Sequence, residues 1–317
     1  MDGKPHRIAT EGDKNGEKAG FYVAHLDGVP AGYIKNNRTG AELNWKFKGY
    51  ILTDEQKATL KAEALEYQQA RQRELEAKQK STALRLKQKL SMMAEVVEPT
   101  PYMQDKGIQV HSGVYTDEER KLICIPATDC EGTLWTVQYI TEDGTKRFAK
   151  DSKKEGCFHV LGDLAKLSET PVIVIAEGYA TAATIKDATG LPAVVSAFDS
   201  GNLKSVAKVL HEKYPQIPII VAADDDKHLE LTKGINPGKE KGKEAADLVN
   251  GFIILPTFAP GEQLFNPRKF SDFNDLANNS KLGIEGVKRQ LKSTIDKIAK
   301  QNSRLHLSQK TSAIRIA

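Results

Sequence analysis

The sequence predicts an α/β fold built on a parallel sheet with helices on both faces, and three observations carry that prediction. First, from residue 171 onward the apolar runs "PVIVIAE", "LPAVVSAF", "IPIIVAADDD" and "FIILPTF" are continuous rather than alternating. Strands of that kind are buried on both faces, as in parallel sheets crossed by helices. Second, the segments between them, "YATAATIKDATG" closed by Gly190, "NLKSVAKVLHEKYP" and "GKEKGKEAADLVNG", read as helices and supply right-handed crossovers. Third, 317 residues with 39% hydrophobic and 28% charged content give room for two or three domains and at least one sizeable core.

The elements ahead of this region follow in order. Residues 1–52 form a small β module, in which "GFYVAHLDGVPAGYI" carries two short strands around an Asp27-Gly28 turn. Thr53 and Gln56 make a capping box, and a long charged helix or linker follows over residues 53–98. The stretch to Leu90 lacks Pro and Gly; residues 54–66 hold four acids and two bases, residues 71–90 two acids and seven bases. A solvated spacer and a phosphate-facing surface both account for that asymmetry. "VEPTP" ends the helix, and residues 99–168 read as a β-rich basic subdomain with strands in "KLICIPA", "TLWTVQYI" and "KRFAK". In "KRFAKDSKK", Lys146, Arg147 and Lys150 flank Phe148, a composition that suits both a nucleic-acid surface and a lysine-guarded sheet edge. Residues 169–300 are the α/β domain, and residues 301–317 a flexible tail.

Composition excludes several classes. No apolar run approaches the roughly 20 residues of a membrane span and no signal-peptide segment opens the chain, so a cytoplasmic protein without a membrane partner is expected. Three dispersed cysteines fit neither a disulfide framework nor a zinc ribbon, and no zinc is expected. A G-x-x-x-x-G-K-[ST] phosphate loop is missing, which argues against helicase activity on this chain.

Chemistry concentrates where strands end in acid. Ligands of open parallel sheets gather beyond the carboxyl ends of the strands. One strand ends at Glu177-Gly178 and another at Asp224-Asp225-Asp226. Alternation places Asp224 and Asp226 on one face and Asp225 on the other. Paired carboxylates make the hard-oxygen site that Mg²⁺ takes while keeping waters for a phosphate ligand. Gly178 lets a substrate approach the backbone. Glu177 as a helix-dipole partner and "ADDDKH" as a solvated loop are the plainer readings, but acids on neighbouring strands repel unless a cation or a task holds them. In "SDFNDL", Asp272 is either a helix cap with Asp275 in the first turn or a further metal or active-site pair.

"AEGYATAATI", "LPAVVSAFDSGNL", "IPIIVAADDD", "NPGKEKGKEAA" and "DFNDL" together resemble the TOPRIM-domain DNA primases of plasmids, satellite phages and other mobile elements. "TPYMQDKGIQVH", "GTLWTVQYITEDGTKRFAKDSKKEGCF" and "DGKPHRI" resemble the family's preceding modules, so the likeness spans roughly residues 2–295. It implies metal-dependent synthesis of short primers from nucleoside triphosphates on single-stranded DNA. Glu177 matches the family's glutamate in acid/base or metal contact, and Asp224 and Asp226 match its Mg²⁺- or Mn²⁺-binding pair. Lys146 and Arg147 fall in the basic segment thought to meet template or nucleotide phosphates; Asn202 and Lys243 match recurring positions near the site. A TOPRIM nuclease and a single-strand-binding protein transferred with mobile DNA are the alternative functions. Beginning at "MDGKPHR" points to a fragment or shortened form, with a replicative helicase or a zinc-binding module as possible partners.

Overall fold

The computed structural model describes residues 3–26, 29–48 and 53–314, with side chains to residue 301. Two compact units divide the chain, Met1–Glu74 and Leu75–Ala317. In the first, β1 (His6–Ile8), β2 (Gly20–His25), β3 (Ala31–Asn36) and β4 (Glu42–Lys46) make an antiparallel sheet in that order. The expected Asp27-Gly28 turn lies outside the described residues. Asp13 anchors the β1–β2 connection. Its Oδ2 accepts the Thr10 and Ala19 N–H groups at 2.7 and 3.0 Å, and the Arg38 guanidinium holds its carboxyl below the usual range.

Helix α1 (Asp54–Leu90) opens on the capping box read from the sequence. The Gln56 N–H donates to Thr53 Oγ1 at 3.2 Å, and the Thr53 N–H donates to Gln56 Oε1 at 3.0 Å. Most of α1 is solvated, yet Thr82, Leu86 and Leu90 are buried at i, i+4, i+8 spacing. Its C-terminal part is therefore a packing element of the second unit.

What Leu86 and Leu90 pack on is a second antiparallel sheet. Thr100 caps the short α2 (Pro101–Asp105) that follows β5 (Ala94–Glu95). Strands β6 (Tyr115–Thr116), β7 (Leu122–Thr128), β8 (Leu134–Thr141) and β9 (Lys146–Phe148) complete the order β5-β6-β7-β8-β9. Alternation splits this sheet cleanly. Cys124 and Val137 meet Leu86 and Leu90, whereas Ile123, Ile125 and Ile140 join the main core.

The main core surrounds a third sheet. It is built from β10 (His159–Gly162), β11 (Ile173–Ala176), α3 (Tyr179–Thr189), β12 (Ala193–Ser196), α4 (Ser200–Lys213) and β13 (Ile219–Ala222). The chain continues through α5 (Lys227–Lys233), α6 (Pro237–Leu248) and β14 (Phe252–Ile254). Strand order is β10-β12-β11-β13-β14, with β11–β14 mutually parallel and β10 antiparallel at the edge. Ile173 and Ile175 face α4 and α6, while Val174 and Ala176 face α3 and the later helices. Both faces of β11 are thus buried, which is why its sequence is apolar throughout. Edge strand β10 comes from upstream of residue 169, and β14 is shorter than "FIILPTF" implied because Pro256 stops the ladder.

α7 (Glu262–Phe265), α8 (Phe273–Asn279) and α9 (Gly283–Ile314) close the chain, and α9 continues helically into the stretch read as a flexible tail. α6 lies unusually close to the end of β13. A Cβ on Gly238 would sit 2.6 Å from the Asp224 carbonyl oxygen, and one on Gly242 would overlap Ala223 Cβ. Glycine to alanine in a helix ordinarily stabilises by up to about 1 kcal/mol. Gly242→Ala should instead destabilise by about 1–3 kcal/mol through overpacking. The readout is a lower denaturant midpoint at unchanged m-value; an unchanged or higher midpoint would refute the close packing.

Candidate active site

The order β12-β11-β13-β14 creates a reversal of winding direction between β11 and β13. Such a switch point opens a crevice beyond the carboxyl ends of the two strands. Glu177 directly follows β11 and Asp224 follows β13 by two residues, so both occupy the crevice. Asp226 stands at the N-cap position of α5 without a side-chain capping bond, and Asp272 caps α8.

These acids interact strongly. Glu177 and Asp224 are half-buried, and one oxygen of each, Oε2 and Oδ1, is shut off from solvent with no hydrogen-bond partner among the described residues. Burial, followed by the Asp226 charge, pushes Glu177 up to about 7, against the pull of the Ser200 N–H. Burial and then the Glu177, Asp272 and Asp226 charges raise Asp224 well above the carboxylate range, with Lys146 opposing. Asp272 is also raised, by burial and then Asp275, although it accepts the Asp275 N–H at 2.7 Å and the Thr181 hydroxyl at 3.1 Å. Asp226 is better satisfied, since its Oδ2 accepts the Gly238 N–H at 2.9 Å.

Lys146 reaches these acids from β9. Desolvation lowers its pKa, while the Asp272, Asp224 and Glu177 charges work the other way. The residue nonetheless keeps an exposed surface. A Cβ on Gly178 would meet only the Lys146 Nζ, 3.9 Å away, so glycine here leaves open space over the acids. Beside it, Tyr102, Asp105, Lys106 and Lys146 help line a cavity of about 420 Å³.

Other residues singled out in the sequence have structural work. Asn202 is buried with its amide fully used: Oδ1 accepts the Gly156 N–H at 2.9 Å, and Nδ2 donates to the Cys157 and Ala197 carbonyls at 2.9 and 3.0 Å. Lys243 pairs with Asp247 at 2.6 Å on the exposed side of α6, away from the acids. Asp275 accepts from the Ser271 N–H and hydroxyl at 2.9 and 3.1 Å and from Asn279 at 3.1 Å, so it locks the start of α8. Phe148 stands edge-on to Phe198 with ring centroids 5.3 Å apart, so it is a packing residue and not an open stacking platform. Arg147 and Lys150 are exposed. Asp225 turns away as alternation predicted, accepting from Asn236 at 2.7 Å and Gln263 at 2.9 Å.

Four contributors escaped the sequence reading. Asn236 binds the acidic loop together, accepting the Asp226 N–H at 3.0 Å while donating to Asp225. Gly238 and Gly242 allow α6 to approach, and their four-residue spacing was the available signal. Lys106 lies close enough to Asp272 and Lys146 to affect both electrostatically, and no local pattern marks it.

A hard divalent cation fits this donor set. Two buried carboxylate oxygens without partners, among mutually repelling acids, are what such a cation would satisfy. Among the described residues no three His, Cys, Asp or Glu side chains are already arranged to hold a metal. The fit is therefore to an ion that retains water and gains phosphate oxygens, as Mg²⁺ does.

The chain is similar to several known proteins. Residues 172–281 match the Toprim domain family. Two Escherichia coli proteins named DNA primase TraC are 47% and 46% identical over 94% of this chain, covering 33% and 24% of their own lengths. The chain thus spans a third or less of those relatives. A remote likeness, at 13% identity and a TM-score of 0.44, is to the primase fragment of the bacteriophage T7 primase-helicase protein, covering 85% of this chain and 94% of that one. Residues 172–281 match the Toprim domain family, within a chain that is similar to a third or less of the DNA primases it matches.

Proposed function

We propose that this chain is the catalytic core of a DNA primase, joining nucleoside triphosphates into short primers on a single-stranded DNA template. The observation that carries the reading is the pair of unpartnered, buried carboxylate oxygens of Glu177 and Asp224, at the crevice faced by Lys146. The likeness to TraC primases supports the same reaction.

Glu177 and Asp224, with the free oxygen of Asp226, would hold Mg²⁺ or Mn²⁺. When bound, the metal neutralises charge on the reacting phosphate oxygens. Lys146, and Lys106 across the neighbouring cavity, would contact the triphosphate. The 3′-oxygen attacks the α-phosphorus, the bond to the departing pyrophosphate breaks, and the hydroxyl proton passes to Glu177. Gly178 leaves room for the reacting groups over the acids. A replicative helicase or zinc-binding module, implied by the sequence resemblance, is assigned no residue of this chain.

Metal-free stability should carry the signature of the acids. Glu177 holds its proton to about 7 in the fold and to about 4.5 when unfolded. Between those pH values the folded chain binds the extra proton, so stability falls as pH rises through the window and stays low above it. At about 1.4 kcal/mol per unit the loss is on the order of 3–4 kcal/mol. Asp224 acts in the same direction. In chelator, melting temperature should therefore drop between mildly acid and mildly alkaline buffer, and Mg²⁺ or Mn²⁺ should restore it at the alkaline end. Asp224→Asn should weaken both effects; a full metal response in that variant would remove Asp224 from the metal site.

Asp226→Asn should abolish primer synthesis on mixed-sequence single-stranded DNA while leaving the far-ultraviolet spectrum and most DNA binding intact. Equal synthesis by variant and parent would overturn the assignment. Metal-dependent strand cutting by the parent, in place of extension, would make the site a nuclease.

A further inference from the structure

Some lysines of the second unit are paired with carboxylates, while others, spread over several surfaces and including Lys288 and Lys292 on α9, have no such partner among the described residues. Lys121, Lys154, Lys213 and Lys227 each face a carboxylate within 3.0 Å. Lys80, Lys87, Lys89, Arg147 and Lys153 have no ion-pair partner among the described residues. All five belong to one surface, formed by the C-terminal half of α1 and the sheet face on which it rests.

The packing fixes that surface. Leu86 and Leu90 seat α1 on Cys124 and Val137, which turns the opposite side of the helix outward. Lys80, Leu84 and Lys87, at i, i+4, i+7, form one wall of a groove of about 600 Å³, and Leu134 and Trp135 form the other. The acid lining this groove, Glu131, is already paired with Lys213 at 2.9 Å. Lys153 Nζ lies 4.8 Å from the centre of the Trp135 ring, and Lys89 Nζ lies 4.9 Å from that of Tyr139. An aromatic face holds an ammonium in place without cancelling its charge. Tyr139 is in turn the cross-strand partner of Arg147.

Like charges held together without counter-charges repel, unless an anion lies among them. Continuity identifies the anion. In β9, Lys146 pairs with Ile140 on the core side and reaches the acids, while Arg147 pairs with Tyr139 on the α1 side. A strand passing round β9 would move directly from the acid crevice onto the cationic face. Leu84, 71% exposed between Lys80 and Lys87, offers an apolar contact for bases while the lysines take phosphates.

We propose that the α1–β8–β9 face binds the sugar–phosphate backbone of single-stranded template beyond the reacting nucleotides. This deepens the primase reading and rests on it. Contact is predominantly with phosphates, so it holds any sequence and extends the template's footprint without touching the chemistry.

The test uses the full chain with Lys80→Glu/Lys87→Glu, and Lys288→Glu/Lys292→Glu on α9 as a charge-matched control. Affinity for a long single-stranded oligonucleotide is measured across salt concentrations, with primer synthesis on long templates and on templates too short to leave the acid crevice. The first variant should bind the long strand about tenfold more weakly, with a salt slope shallower by about 1.4, or about 0.7 per lost phosphate contact. Its synthesis on short templates should equal that of the parent, and the α9 control should change little. Binding and salt slope equal to the control's would overturn the proposal. So would unchanged DNA binding with loss of polyglutamate binding, which would give the face to an acidic protein segment. Loss of DNA binding by the variant of a parent that makes no primers would sustain the face and refute the primase reading instead.

Discussion

Repulsion among four carboxylates in a partly desolvated crevice is the constraint around which the second unit is arranged. Asp226 and Asp272 both bear on Glu177, and Glu177, Asp272 and Asp226 all bear on Asp224, with burial strengthening each interaction. The fold does not treat them alike. Asp272 receives a main-chain N–H and a hydroxyl, and Asp226 receives the Gly238 N–H. Asp224 Oδ1 and Glu177 Oε2 receive no such donor among the described residues. Two acids are thereby spent on structure in part, and two are kept available for a cation or a proton. The distribution of N–H donors, more than the identity of the residues, assigns these roles.

Holding the acids there requires backbone to come close, and the sequence supplies residues that allow it. Gly238 and Gly242 let α6 press against the Asp224 carbonyl and Ala223, so that the Gly238 N–H reaches Asp226. Phe198 adopts φ of 75°, an unusual conformation for an aromatic residue, at the turn between β12 and α4. That turn presents Asp199 and the Ser200 N–H beside Glu177, and the Phe148 ring packs edge-on against Phe198. Packing contacts from β9 therefore support the strained turn, and the strained turn supports the glutamate.

The parts of this arrangement that were legible in the sequence are those governed by local pattern. Apolar strands, the capping box at Thr53 and Gln56, and acids at the ends of β11 and β13 all follow from period and position. Asp225 turning away from Asp224 and Asp226 also followed from alternation. The partners of Asn202, Lys243 and Phe148 were not legible, because they are distant or incidental. Asn202 serves Gly156 and Cys157 across 46 and 45 residues, and Lys243 has merely a helical neighbour in Asp247. The antiparallel strand β10 was hidden for a related reason. Its pairing with β12 depends on where the β-rich segment ends in space, which no periodicity records.

The register of β9 links the two nucleic-acid contacts inferred for this chain. In a pleated strand, a slip of one residue would exchange the faces of Lys146 and Arg147, withdrawing the ammonium from the acids. Turn chemistry prevents the slip. Asp143 Oδ1 accepts the Thr145 N–H at 3.0 Å and the Thr141 hydroxyl at 2.5 Å, and Gly144 takes the positive φ of 80° that the tight connection needs. On the far side, the Ala149 N–H donates to the Val137 carbonyl at 3.1 Å. Three residues of strand, clamped at both ends, thus present one cation to the acid crevice and the next to the opposite face. Phe148, packed edge-on against Phe198, depends on the same register, so core packing and the proposed passage of a polyanion between the two faces require one pairing of β9.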